Sequence, residues 1–210
     1  MALFKSKTTK APKAPKTDKI SSATIITSCM EVTGDFKGTD TIHIDGNVTG
    51  NISVSNTLVI GKTGVVEGTV EAKNVIINGT LKGSIKCEHL EVMQSGQVSR
   101  YIEATELILD GTIDGDITGK ERIQVLENAN IQAVSLKSKT ITVNGQIKGT
   151  VIASEILEIG KKGFVEGQIT VKNIKTEEGG RMIGTMSTYQ EEDFKMKSNK
   201  KESKKMEVAN

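Results

Sequence analysis

The side chains that could do catalytic or metal-binding chemistry are few in this 210-residue chain. It has two histidines, His43 and His89, and two cysteines, Cys29 and Cys87, with no CxxC motif. Alternation with its neighbours predicts that His43 points outward. The spacing of Cys87 and His89 places both on one face of a strand, but no further ligands cluster nearby. We therefore interpret Cys87 as a buried thiol and His89 as a surface imidazole.

The run Asp110-Gly-Thr-Ile-Asp114-Gly-Asp116 is the other candidate for chemistry. Paired carboxylates serve glycoside hydrolysis, and calcium-binding solenoids repeat a Gly-Gly-x-Gly-x-Asp nonapeptide. This run occurs once, with a different spacing and with no aromatic sugar platform around it. Asp before Gly is typical of turns. We predict no catalytic, metal-binding or cofactor-binding residue, so that the protein is not an enzyme and takes no small-molecule substrate.

Pairs of glycines at positions i and i+4 recur along the chain at nearly regular intervals. Longer segments recur as well, since 41–52 resembles 140–151 and 58–70 resembles 157–169, with the same offset. The glycines are replaced at Arg100 and at Asn128-Ala129-Asn130, where we expect irregular coils or a small protrusion. The complete pairs are Gly34/Gly38, Gly46/Gly50, Gly64/Gly68, Gly79/Gly83, Gly111/Gly115, Gly145/Gly149, Gly163/Gly167 and Gly180/Gly184.

Within each repeat, apolar and polar residues alternate with the period of a β-strand. Aromatic residues are only 3% of the chain, which indicates a thin core of similar aliphatic layers. Asn78-Gly79 and Asn144-Gly145 suit hairpins of an antiparallel meander, whereas the regular repeat favours a solenoid with one coil per repeat. Left-handed hexapeptide coils have lengths that are multiples of six, which the step from Gly64 to Gly79 does not fit. We predict an all-β fold, a right-handed parallel β-helix (solenoid) of about nine to ten coils.

Composition divides the chain into three parts. Residues 1–19 carry six Lys against one Asp, and residues 189–210 are polar and rich in Lys and Glu. Neither part has the apolar content to fold, so we predict two disordered tails around a β-helix domain of residues 20–188. The mildly acidic body argues against nucleic-acid binding. The lack of a signal peptide and of a disulfide framework favours the cytoplasm.

The end coils of a solenoid leave backbone groups without a partner, and most solenoids cover them with caps. The sequence indicates no capping helix at either end. Stacking of rods end to end extends one sheet and one core, and a contact that does not close on itself gives a filament. The alternative is that the tails fold over the ends. We predict a polymer interface made of Ile25, Ile26, Met30, Val32, Phe36, Ile174, Met182, Ile183 and Met186.

The first residues have the composition of a short membrane-binding segment, which we call the membrane tip. Met1, Leu3 and Phe4 are apolar, and Lys5 and Lys7 follow them. An apolar tip beside lysines suits an anionic bilayer and contributes about a few kcal/mol, which is marginal for one chain but firm for a polymer. The alternative is an ordinary disordered start.

The first coils resemble the bactofilins, a family of polymer-forming bacterial cytoskeletal proteins. The resemblance rests on Thr33-Gly34-Asp35-Phe36-Lys37-Gly38 and on the Ile-Asp-Gly-x-Val-x-Gly run within 42–52, and it covers about residues 20–188. It implies nucleotide-free filaments, membrane binding through N-terminal residues such as Leu3 and Phe4, and a scaffold for cell shape or cell-wall enzyme placement. The partners would be the protein itself, the inner membrane surface and morphogenesis proteins, with a peripheral location at the inner membrane. The repeat body is longer than the family leads us to expect.

Other classes of protein fit less well. A monomeric or oligomeric β-helix scaffold without filaments shares every feature except self-assembly. A left-handed hexapeptide-repeat acyltransferase needs a catalytic histidine beside a protruding loop, and neither His43 nor His89 has that setting. A secreted adhesin or polysaccharide-degrading β-helix needs a secretion signal. The resemblance therefore favours the cytoskeletal function.

Overall fold

The computed structural model describes residues 23–190, and within this range the chain forms fourteen β-strands and no helix. Every pair of neighbouring strands is parallel. The strands are β1 (Ala23–Ile26), β2 (Glu31–Thr33), β3 (Phe36–Gly38), β4 (Thr41–Ile44), β5 (Asn47–Thr49), β6 (Ile52–Ile60), β7 (Val65–Ile77), β8 (Thr80–Val92), β9 (Gln97–Leu109), β10 (Thr112–Val125), β11 (Asn130–Val143), β12 (Gln146–Ile159), β13 (Phe164–Thr176) and β14 (Arg181–Thr188).

Each coil has three straight segments, which lie on three faces that we call A, B and C. In the third coil, face A is 57–60, face B is 65–67 and face C is 70–72. Each segment pairs with the same segment of the next coil, and coil length varies, since Val65 pairs with Thr80 but Asn47 pairs with Val65. About ten coils result, which confirms the parallel solenoid and excludes the antiparallel meander.

Two parts of the prediction are not decided by these strands. The right-handed sense of the coils stays a prediction. The domain boundaries at residues 20 and 188 also stay predictions, because residues 1–22 and 191–210 lie outside the described range.

Aliphatic side chains from all three faces fill the interior, and like lies over like from coil to coil. On face A, for example, Leu58 lies over Ile42 and under Val75, and all three are buried. Close packing of such columns makes each coil depend on its two neighbours. The corresponding columns on faces B and C include Val48, Val66, Leu81, Ile52, Val70 and Ile85.

The corner between faces B and C is a column of glycines with positive φ, such as Gly50 (φ 146°) and Gly68 (φ 145°). A Cβ on Gly68 would overlap the carbonyl group of Gly50 in the coil before it, and the same overlap recurs along the column. Only Gly avoids this contact and adopts such φ values at no steric cost. From Gly46/Gly50 onward, the second member of each glycine pair is therefore fixed by the stacking of corners, whereas in the first pair the corner residue is Gly34 and not Gly38.

Two coils depart from this column. Arg100 keeps the register between Gly83 and Gly115 but has φ 100°, the one positive value among the described non-Gly residues. Ala133 occupies the column one coil after Gly115, and the pairing then shifts between Ala133 and Leu136, which leaves Val134 74% exposed. The turn at 128–130, where we expected an irregular coil, has the same backbone hydrogen bonds as the other turns, and the irregularity lies instead in a bulge at 133–135.

Replacing Arg100 with Gly should raise the free energy of unfolding by about 1 kcal/mol, because a side chain at positive φ is strained and Gly is not. Urea denaturation followed by circular dichroism measures the change. Arg100→Ala is the control, since Ala retains the Cβ and should give no gain. An Arg100→Gly variant no more stable than the wild type would show that the corner is unstrained.

Candidate functional site

The structure separates Cys87 from His89. Cys87 packs against the core at the end of a face C segment, whereas His89 is exposed at the start of the next face A segment and pairs with Glu106 at 3.1 Å. The prediction that both share a face is wrong, because the chain turns a corner at Glu88 and the strand alternation restarts. The interpretation of His89 as a surface imidazole is confirmed, whereas Cys87, which we expected to be buried, is only partly buried against the core.

The remaining candidates for chemistry are also dispersed. The His43 Nε2 atom lies 3.0 Å from a carboxylate oxygen of Asp45 on the outer surface. Asp110 accepts hydrogen bonds from the backbone and side-chain nitrogens of Asn128 in the next coil, at 3.3 and 3.2 Å. Residues 23–190 contain no group of three His, Cys, Asp or Glu side chains that could hold a metal ion.

Burial raises the pKa of the Cys87 thiol to about 12. Since the thiolate is the reactive form, we expect maleimide at pH 8 to label the exposed Cys29 rapidly and the partly buried Cys87 far more slowly until the protein is unfolded. Mass spectrometry of timed samples, with and without urea, measures this order. In a Cys29→Ser variant the fast reaction should disappear, and fast native labelling of Cys87 would contradict its burial.

The first coil presents one end of the rod. Ile26 is only 4% exposed and belongs to the core, and Val32 and Phe36 are partly buried against it. Met30 is half-exposed in the first turn. Ile25 is exposed too, but it pairs with His43 in an outward column of face A. Of the five residues predicted for this end, Ile25 points to the side of the rod.

The last coil presents a more open apolar end. Ile174, Met182 and Met186 continue the core columns of Leu157, Val165 and Ile169. Those three preceding residues are at most 1% exposed, whereas Ile174, Met182 and Met186 are 36%, 38% and 48% exposed. No described residue covers them as a following coil would. Ile183 differs, because it pairs with Glu166 in an outward column.

The backbone is open at both ends as well. Strand β14 pairs only with β13, and strands β1, β2 and β3 pair only with the second coil. One edge of each end strand is therefore without a strand partner among residues 23–190. Such an edge is a template for another strand. The end coils thus combine unpaired backbone groups with exposed core-facing side chains.

The sides of the rod are mostly polar. Lys and Glu side chains bridge successive coils, for example Lys82 with Glu67 at 2.9 Å and Lys139 with Glu121 at 2.8 Å. These pairs are about half exposed, so each contributes little to stability. They make the outward columns charged.

One stretch of face A is different and was missed by the sequence reasoning. A groove of about 500 Å³ crosses its middle coils, and we call it the face A groove. The signal in the sequence was the apolar Ile76 and Ile108 at outward positions, where alternation predicts polar residues. The lining residues are Thr57, Asn74, Val75, Ile76, His89, Leu90, Glu91, Glu106, Leu107, Ile108, Arg122 and Gln124.

The predicted membrane tip, Met1, Leu3, Phe4, Lys5 and Lys7, lies outside the described residues. Over residues 23–190 there is no helix of the length and hydropathy needed to span a bilayer.

Residues 23–190 thus form a parallel β-solenoid, and within this range no strand or cap covers its two terminal coils. A sequence profile of the Bactofilin family, described as polymer-forming cytoskeletal, matches residues 24–110 and again residues 103–187. The chain therefore belongs to the bactofilin family, whose members are structural cytoskeletal proteins.

Two curated relatives come from Myxococcus xanthus (strain DK1622). Bactofilin BacP is 29% identical over 75 residues, which are 35% of this chain and 31% of BacP. Bactofilin BacO is 37% identical over 62 residues, which are 30% of this chain and 49% of BacO. The matches thus span about a third and a half of the lengths of these relatives. No solved structure matches the chain significantly.

Proposed function

We propose that this protein assembles end to end, without nucleotide, into membrane-associated filaments that scaffold cell shape or the placement of cell-wall enzymes. The observation that carries the proposal is the last coil, where Met182 and Met186 occupy core columns but are exposed. The family description as polymer-forming supports it. The filaments would lie in the cytoplasm at the inner membrane and would recruit morphogenesis proteins.

The physical reason is that each joint repeats the contacts inside the rod. A coil stacked on β14 would pair with its open backbone edge and cover Ile174, Met182 and Met186, as each internal coil covers the one before it. Burial of apolar side chains and pairing of an edge both favour the joint. Because each added copy brings a new open end, the assembly does not terminate.

A β-helix scaffold that does not form filaments is the competing function. In that case residues outside the described range would cover the end coils and remove the template. The two functions differ in one measurable property, which is the length of the particles. Substitutions at two neighbouring residues of the last coil, one in a core column and one in an outward column, distinguish the two functions.

Met182→Arg should abolish or strongly shorten filaments, because it places a charge in the core column at the joint, where an unpaired charge is costly. Negative-stain electron microscopy of purified protein without nucleotide measures filament length. Ile183→Arg is the matched control, since Ile183 is adjacent but in the outward column, and its filaments should keep at least about half the wild-type length.

Both variants are checked for folding by circular dichroism before microscopy. Equal loss of filaments in the two variants would place the joint on the side of the rod and bear out Ile183 as a contact. Monodisperse wild-type particles over a range of salt and protein concentrations would favour the scaffold that does not polymerise.

Attachment to the membrane rests on the composition of the N-terminal residues. Leu3 and Phe4 supply apolar surface, and Lys5 and Lys7 supply positive charge near it. One such tip binds weakly, but tips arrayed along a filament bind together, and their effective concentration makes the attachment firm. The membrane contact thus depends on the polymer.

Changing both Leu3 and Phe4 to Glu should remove binding to vesicles that contain anionic phosphatidylglycerol, while filaments still form. Changing Lys5 and Lys7 to Gln should weaken binding by about fivefold or more for each lysine and reduce its dependence on salt. Co-sedimentation with vesicles measures the bound fraction. Vesicles of neutral lipid are the control, and unchanged binding of the Glu variant would exclude the tip as the anchor.

A further inference from the structure

The face A groove has an apolar floor on an otherwise polar side of the rod. Ile76 and Ile108 lie in one outward column of face A, and Ile108 is 40% exposed. Glu91 and Arg122 also line the groove, and neither forms an ion pair with any residue of 23–190. Exposed apolar groups within a concave surface mark contact sites. A partner for this groove should therefore be apolar at Ile108, basic at Glu91 and acidic at Arg122.

The corner between faces B and C carries features of this kind. Because each coil has three faces, this corner lies on the side of the rod opposite face A. We call the residues that directly precede and follow the corner position of each coil the corner ridge. Val134 belongs to it and is 74% exposed. Asp114 and Asp116 belong to it one coil earlier, and Lys148 one coil later.

The charged groups of the corner ridge can take part in new contacts. Neither Asp114 nor Asp116 forms an ion pair with another described residue. Lys148 lies 3.2 Å from a carboxylate oxygen of Glu166, but both side chains are about half exposed. An exposed pair of this kind is weak, so Lys148 can turn to another acid at little cost.

The ridge and the groove match when two rods run in opposite directions. From the first coil toward the last, three successive coils of the ridge present acidic, apolar and basic side chains. From the last coil toward the first, three successive coils of the groove present basic, apolar and acidic side chains. The opposed side chains are Asp114 and Asp116 with Arg122, Val134 with Ile108, and Lys148 with Glu91.

We propose that the corner ridge of one copy of this chain packs into the face A groove of a second copy whose rod runs in the opposite direction. Val134 and Ile108 bury each other at the centre of the contact, which supplies apolar attraction. The ion pairs on either side add little affinity but fix direction and register.

The same register matches side chains toward both ends of the rods. It covers about eight coils, or about 34 Å of rod at the spacing of neighbouring strands. Glu166 is the one charged ridge residue within the contact that meets no opposite charge, since Ile76 lies across from it. The further opposed pairs are Glu67 with Lys175, Lys82 with Glu158, Ser99 with Thr140, and Ile183 with Val59.

A parallel arrangement of the two rods opposes like charges instead. With Val134 again in the coil of Ile108, Lys148 would face Arg122. The acidic coil of the ridge would face Glu91. Like charges placed opposite each other in an interface are costly. The order of charges therefore selects antiparallel rods and, as the occupant of the groove, a second copy of this chain.

The lateral contact does not close on itself. Ridge and groove lie on opposite sides of the rod, so a copy that inserts its ridge still presents a free groove. Contacts between two different surfaces of the same molecule give open arrays. Rods would therefore line up side by side in a flat row, with every second rod reversed. This contact uses outward side chains alone, so it does not depend on the end-to-end joint.

Disulfide formation between two variants tests the lateral contact in the full chain. Both variants carry Cys29→Ser, which removes the exposed thiol, and Met182→Arg, which blocks the proposed end-to-end joint. One variant adds Val134→Cys and the other adds Ile108→Cys. The parent without an added cysteine gives the background from Cys87, whose thiol stays protonated at pH 8.

In the mixture, the disulfide between the two different variants should form at least about fivefold faster than the disulfide between two copies of either one, because the contact holds those thiols together. Lys148→Glu in the Val134→Cys variant should slow this reaction about fivefold, and Glu91→Lys in the other variant should restore it. Mass spectrometry of intact protein measures the products, and circular dichroism checks the fold. Equal rates for mixed and like pairs, or no rescue by the charge exchange, would overturn the proposal and leave the groove to a different partner.

A second set of positions tests the direction of the rods. In the same background, Ser99→Cys lies opposite Thr140→Cys if the rods are antiparallel and opposite Ile76→Cys if they are parallel. We expect the disulfide with Thr140→Cys to form at least about fivefold faster than the disulfide with Ile76→Cys. Equal rates, or a faster reaction with Ile76→Cys, would contradict the antiparallel contact.

Discussion

Parallel hydrogen bonding of each coil to the coils before and after it is the interaction on which the rest of this structure depends. It fixes a register in which every side chain lies over its equivalent, so aliphatic residues form continuous inward columns. It also brings the corners of successive coils into backbone contact. The glycine column, the thin core and the open ends all follow from this one constraint.

The same constraint explains where the protein tolerates change. An outward position can take Lys, Glu, Thr or Ile, because solvent lies beside it. The corner column tolerates Arg100 only at a positive φ, and Ala133 is accommodated with an additional residue in the bulge. Strict corners and permissive sides allow a rod to acquire local features such as the face A groove without losing its architecture.

A core built from identical layers leaves the apolar side chains of its last layer exposed. In a compact domain the last element closes the core, whereas here Ile174, Met182 and Met186 are core residues that lack a next layer among the residues the structure describes. This connects the fold to the polymer-forming description of the bactofilin family more directly than any side-chain chemistry does. The assembly proposed for this chain depends on these exposed core columns of the end coils.

The sequence by itself determined the strand periodicity, the coil length and the glycine corners, because these are local patterns repeated about ten times. It also indicated that the chemistry-bearing residues are scattered. Tertiary structure decided which side chains share a face, because the alternation restarts at each corner. That is why Cys87 and His89 separate, why Met182 and Ile183 point in different directions, and why residues as distant as Ile76 and Arg122 form one groove. Local spacing is enough to predict a strand, but only the closed coils determine which residues of different strands lie together on one face.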